Sequence, residues 1–320
     1  MMRLFLLVFS FLQVSGKKVS VEENDAIQKE CKFIHASRVK RVLYGQKLSN
    51  EEMTYVVNVQ IGRDQGSSRC SGTIISPYHI LTAGHCFYDK TYCNKTRDST
   101  KLFPRKPAYV HFGGNCIKLA ASGSCAGGVL NRITKAVKVS IPVRFSDSGC
   151  NEGDIALVEV KEKFPIELGF ACLPTITRKL AGMVFAAGYG TDPGDSEAPQ
   201  KFREKAEFTV EKYCDFSLRA PKDRFCTEET KQFLCKGDSG SGIIQLLENK
   251  PTIFGVHNAG TICAKVKLYI DNPLADRRFR GSMNTDVRKY LKWVCGNTGV
   301  CPPGYNRKEA GIKKKTIHVL

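Results

Sequence analysis

Cys235-Lys236-Gly237-Asp238-Ser239-Gly240 sets a serine among glycines, directly after an aspartate. A serine in a glycine turn can be purely structural. As a nucleophile it would need a base to take its proton, a carboxylate to hold that base in the right tautomer, and donors for the developing oxyanion. Upstream, Leu81-Thr82-Ala83-Gly84-His85-Cys86 places a histidine beside a cysteine. Between the two, Asn151-Glu152-Gly153-Asp154-Ile155-Ala156-Leu157 puts an aspartate at the start of an apolar run. Each stretch alone has an ordinary structural explanation, but together they supply a hydroxyl, an imidazole and a carboxylate.

Around these stretches the chain reads as all-β. Short apolar runs at residues 55–61, 155–160, 243–247 and 253–256 recur between Gly, Pro, Asn and Asp clusters. That rhythm predicts a barrel or a sandwich. One helical pattern appears late: over residues 286–294, Val287, Tyr290, Leu291 and Val294 share a face, with Trp293, the only tryptophan, beside them.

The N-terminus predicts an exported protein. Arg3, an apolar run from Leu4 to Leu12 and the small residues of Val14-Ser15-Gly16 have the order of a cleavable leader over residues 1–16. The run is too short to cross a bilayer, and no later segment is apolar for long enough. Residues 17–41 form a polar propeptide with little to build a core from, carrying Cys31 and ending in Arg38-Val39-Lys40-Arg41. Residues 301–320 read as a basic, disordered tail, which leaves the folded domain over residues 42–300.

Fourteen cysteines behind a leader predict disulfides rather than free thiols. Paired CxxC motifs are missing, which argues against a structural metal. The Asn94-Lys95-Thr96 sequon suits glycosylation at Asn94 on a surface loop. The formal net charge of +18 favours acidic surfaces or acidic substrates, or simply gives a well-solvated basic surface. Nucleic acid is a poor partner for an exported, disulfide-rich chain.

The three stretches, in this chain order, resemble the chymotrypsin/trypsin-like serine proteases over residues 42 to about 296. The resemblance implies two six-stranded antiparallel β-barrels with a C-terminal helix, no cofactor, and protein or peptide substrates. It makes His85 the general base and acid, Asp154 its orienting partner and Ser239 the nucleophile, with the backbone N–H groups of Gly237 and Ser239 as oxyanion hole. It pairs Cys70 with Cys86, Cys214 with Cys226 and Cys235 with Cys263, and tethers the propeptide through Cys31 and Cys172. The remaining cysteines, at 93, 116, 125, 150, 295 and 301, allow fifteen pairings that sequence does not separate. Four of them lie between His85 and Asp154, in a stretch long for the family, which predicts a disulfide-braced insertion.

The resemblance also implies activation by a protease cutting after Arg41. The α-amino group freed at Val42 would pair with Asp238, although Tyr44 stands where the family has glycine. Arg38-Val39-Lys40-Arg41 fits either a furin-like processing enzyme or a trypsin-like activator. The specificity pocket would be formed by Phe233, Asn258 and Gly260. Phe233 occupies the floor where a trypsin carries aspartate, and an apolar floor offers a buried cation no counter-charge. Non-tryptic specificity for apolar or small side chains is therefore expected. The alternative is a catalytically weak or inactive trypsin-like fold acting as an extracellular binding protein.

Overall fold

Runs of β-branched residues set the strands, because such side chains pack well on a pleated surface that is buried on one face. In the computed structural model, residues 16–31, 46–64, 66–93, 98–118, 125, 127–191, 200–211, 221–228, 232–260, 281–307 and 315–320 are described. The strands of the first half are β1 (Gln46–Lys47), β2 (Val56–Gly62), β3 (Ser67–Ser76), β4 (His79–Thr82), β5 (Ala108–Phe112), β6 (Cys116–Lys118), β7 (Arg132–Pro142) and β8 (Ala156–Val160). Those of the second half are β9 (Met183–Gly188), β10 (Gln200–Phe202), β11 (Glu204–Glu211), β12 (Arg224–Glu228), β13 (Gly242–Leu247), β14 (Lys250–Ala259), β15 (Gly281–Asp286) and β16 (Thr316–His318).

Two closed antiparallel barrels result. The first follows β7-β5-β2-β3-β4-β8 and closes through β7 and β8; the second follows β11-β12-β15-β14-β13-β9 and closes through β11 and β9. Closure removes the open sheet edges that would otherwise pair with other chains. β1 extends the second barrel along β11, and β6 and β10 form a two-stranded bridge between the halves. The two six-stranded barrels expected from the sequence are thus present.

Where the halves meet, Arg203 is fully buried. Its guanidinium donates to the carbonyls of Gly114 (2.8 Å), Ser49 (3.0 Å) and Glu52. Planar donors matched to backbone acceptors make a buried cation tolerable there.

The expected late helix begins with a 3₁₀ turn, Val287–Tyr290, and continues as an α-helix over Leu291–Thr298. Asp286 caps the start by accepting from Arg288 N–H, and Gly299 ends it in the left-handed region at φ 77°. Trp293 is buried.

The N-terminal segment is better anchored than its composition predicts. A capping box between Ser20 and Glu23 starts a helix over Val21–Glu30. Val19, Ile27 and Cys31 are buried. Val19 N–H donates to Thr298 O (2.8 Å), Cys301 N–H donates to Asn24 Oδ1 (2.8 Å), and Cys31 is bonded to Cys172. The described part of the segment thus lies against the C-terminal helix.

Cys70 pairs with Cys86, and the pairings left open by sequence are Cys93 with Cys150, Cys116 with Cys125 and Cys295 with Cys301. The first two of these brace the long connection between His85 and Asp154, as expected. Cys226 and Cys235 are each disulfide-bonded, while Cys214 and Cys263 lie outside the described residues, as does Asn94.

The expectation of a disordered tail over 301–320 needs correction for its described residues, 301–307 and 315–320. Tyr305 packs on the Cys295 and Cys301 disulfide, and β16 pairs with the end of β7, His318 opposite Ser140. Val319 is buried, and its N–H donates to Val139 O (2.9 Å). Composition missed this because a strand of three residues needs only one well-placed apolar anchor beside an open stretch of neighbour. A chain ended at residue 314 should lose about 5 °C of thermal midpoint in a fluorimetric melt; an unchanged midpoint would show that the strand adds nothing.

Candidate functional site

Strand β4 pairs antiparallel with β8, Thr82 opposite Ala156. Three residues past Thr82 the chain reaches His85, in a 3₁₀ turn over Gly84–Phe87 held by the Cys70–Cys86 disulfide. Two residues before Ala156 lies Asp154. The register therefore delivers both side chains to the same end of the first barrel.

There they meet. Asp154 Oδ1 accepts from His85 N–H at 2.8 Å, and Oδ2 lies 2.9 Å from His85 Nδ1. Asp154 is 4% exposed. Burial pushes its carboxyl up, but the attraction of His85 and the hydrogen bonds from its ring and amide outweigh burial and hold it below the usual carboxylate value.

The backbone on both sides of Asp154 is clamped as well. Gly153 N–H donates to Asp223 Oδ2 (2.7 Å), which also accepts from Tyr290 OH. On the other side, Asn258 Nδ2 (2.7 Å) and Thr285 Oγ1 (2.9 Å) donate to Asp154 O. Asn258, expected to line the specificity pocket, is buried, and its side chain donates to this carbonyl. The amide is long enough to reach the backbone behind the carboxylate, and a buried amide needs such partners. Asp223 and Thr285 escaped the sequence reading, because no local motif marks them and their partners lie 70 and 131 residues away.

Ser239 arrives from the second barrel, on the turn ahead of β13. That turn is bonded onto β3: Ser71 N–H donates to Ser239 O (2.8 Å), and Ser71 Oγ donates to Gly237 O (3.0 Å). Gly240 N–H donates to His257 O (2.8 Å). A side chain on Gly240 would start 2.1 Å from Thr82 Oγ1 and 3.0 Å from Ala83 N, at φ +88°. Only glycine allows the turn to close this tightly on the strand leading to His85. Ser239 is half-buried, and among the described residues no hydrogen bond joins its side chain to His85.

Gly237 has φ +104°, and a Cβ there would lie 3.0 Å from Gly190 Cα, which accounts for glycine at the expected oxyanion position. Asp238 is buried; its carboxylate accepts from Gly190 N–H (2.8 Å) and Cys235 N–H (2.9 Å). Arg41 and Val42, its expected activation partners, lie outside the described residues, as does Tyr44. Phe233 is half-buried next to buried Leu234, which packs with Val184, Phe208 and Ile243. Gly260 follows the end of β14 and is half-buried. Cys70, His85 and Cys86 bring possible metal-ligand atoms within 4.8 Å of one another, but the two sulfurs are joined in a disulfide, so no thiolate pair is available there.

Comparison with known proteins gives the site its context. A family model described as "Trypsin" matches residues 124–274, and one described as "Nematode trypsin-6-like family" matches residues 1–102. The chain is 26% identical to trypsin-like protease try-5 of Caenorhabditis elegans, over 70% of this chain and 76% of that protein. It is 24% identical to the urokinase-type plasminogen activator of Gallus gallus, over 88% of this chain and 64% of that one. To the CLIP domain-containing serine protease B8 of Anopheles gambiae it is also 24% identical, over 82% of this chain and 67% of that one.

Two buried histidines make stability acid-sensitive. Burial holds His79 down to about 3 and His257, behind the serine turn, down to about 4. Since the free value is about 6.5, the unfolded chain takes up these protons first. Their contribution is complete above about pH 6.5 and is lost as pH falls toward the folded values. Each should cost about 1.4 kcal/mol per pH unit across that window. Asp154, also depressed, loses its contribution only at lower pH, as pH falls through its folded value. Urea melts from pH 7 to 4.5 should show the decline, and His79→Gln should remove about half of the slope; an unaltered slope would contradict the assignment.

Proposed function

Since the chain belongs to the chymotrypsin/trypsin-like serine protease family, we propose that it is an active, secreted serine endopeptidase with His85, Asp154 and Ser239 as its triad. The observation that carries this reading is the paired contact of the buried Asp154 carboxylate with the His85 amide and ring, beside a serine turn with glycine at position 237.

In this reading Ser239 Oγ attacks the substrate carbonyl while His85 takes the hydroxyl proton, and Asp154 fixes the imidazole and stabilises its charged form. The Gly237 and Ser239 amides receive the oxyanion. Collapse of the tetrahedral species expels the amine, which carries the proton returned by His85 and leaves an acyl group on Ser239. Water, deprotonated by His85, then attacks the acyl group and frees the carboxylic acid product and Ser239.

Activation after Arg41 places the Val42 ammonium beside the buried Asp238 carboxylate. Because that carboxylate already organises the Gly190 and Cys235 amides, an added cation there would fix the turn that presents Gly237. Secretion is supported by the leader and by the disulfides. Phe233 and the absence of a carboxylate at its position support cleavage after apolar or small residues. The rival reading, a binding protein of the same fold, rests on Phe233 and Tyr44.

A fluorophosphonate probe applied to the chain cut after Arg41 should label it, and Ser239→Ala should abolish labelling and lower kcat by about 10⁶-fold. Well-folded material that takes no label would favour the binding protein. In peptide-library profiling, Phe233→Asp should gain cleavage after lysine and arginine that the native enzyme lacks. A native preference for those residues would overturn the pocket assignment.

A further inference from the structure

A second acidic site waits at the other end of the propeptide. Lys17 N–H donates to Glu159 Oε1 at 3.0 Å, and Glu159 on β8 is only 8% exposed. The rest of Lys17 is held too: Nζ donates to Lys161 O (2.6 Å) and stands 4.3 Å from the centre of the Tyr78 ring. Buried His79, across the strand pair from Glu159, hydrogen-bonds the Lys17 backbone, and its Nδ1 lies 2.7 Å from Ser76 Oγ. Gly16 is confined: a Cβ there would lie 2.8 Å from Glu159 Oε2 and 2.9 Å from Lys138 Nζ.

Glu159 stands opposite Lys138 across β7 and β8, and from the N-terminal segment its Oε1 meets a neutral peptide N–H, which offsets less of its lost hydration than a charged donor would. A charged donor at the same position would be roughly twice as strong. Residues 1–16 read as a cleavable leader, and the small residues before Lys17 suit its removal. We propose that the chain is hydrolysed between Gly16 and Lys17, and that the α-ammonium formed at Lys17 docks on Glu159 as a buried ion pair. Water adds across the amide, leaving a carboxylate on Gly16 and the ammonium on Lys17; an endopeptidase of the export route performs the step.

The site is a socket for a free N-terminus, occupied by the chain's own. It fastens the propeptide at Lys17 as the Cys31–Cys172 disulfide fastens it at Cys31, and it forms on export, before any cut after Arg41. This inference does not rest on catalysis, so its test is made on the Ser239→Ala chain, secreted with its own leader from eukaryotic cells.

Intact mass should place the first residue at Lys17. An anhydride that prefers α-amines near neutral pH should modify that terminus about 10-fold more slowly than in the Glu159→Gln chain. In addition, Glu159→Gln should lower the melting temperature by about 5 °C. A Gly-Ser extension retained ahead of Lys17 should cause a comparable loss, and the two changes together no more than either. The extension is informative even where the substitution prevents secretion. A different first residue, equal modification rates, or an extension without effect on melting would each overturn the proposal.

Discussion

A carboxylate taken out of water has to be compensated on every side, and the site is built around that demand at Asp154. Its two oxygens meet the amide and ring of His85, and the peptide groups before and after it are bonded by Asp223 and by Asn258 with Thr285. Removing one partner of such a group leaves a charge that burial alone would neutralise. Strand register is the primary determinant here. With Thr82 opposite Ala156, His85 and Asp154 emerge at the same end of one strand pair; a slip of a single residue would turn one of them to the other face.

The serine comes from the other barrel, so the site depends on how the halves are fastened. The contact is made on the backbone of the turn: Ser71 holds the carbonyl of Ser239 with its N–H and that of Gly237 with its hydroxyl, and Gly240 admits no side chain because Thr82 and Ser71 occupy the space. Such contacts are short and directional, which fixes a loop more exactly than apolar packing does. The buried Arg203, bound to carbonyls at 49, 52 and 114, joins the same two halves elsewhere. The polar junction holds the turn in place; the apolar interiors of the barrels hold the junction.

What could be read from the chain beforehand follows the range of the interactions. The stretches around His85, Asp154 and Ser239 are local, so residue type and spacing were enough to single them out. The barrels were legible as alternating short strands, and their number and closure came through family resemblance. The six unassigned cysteines were not legible, since their pairing depends on where the loops run. Family resemblance puts Asn258 at the pocket but says nothing of the hydrogen bond from its side chain to Asp154 O, made at a register shift in β14 between His257 and Ala259. For the two terminal segments composition averages over the single buried anchors, Val319, Val19 and Ile27, that hold them down.

The docking of residues 17–31 bears on the proposed cut after Arg41. Val19, Ile27 and the Cys31–Cys172 disulfide bind the segment to the body of the protein. The proposed cut would therefore leave the described residues 17–31 attached. In the proposed activation the effect would be exerted at the new terminus, through its ammonium. Asp238, directly before the serine, is the buried carboxylate proposed to receive it, and it already accepts from two amides. A single charge could thus act on catalysis without any rearrangement of the barrels, because the element it orders is the one turn that carries both Gly237 and Ser239.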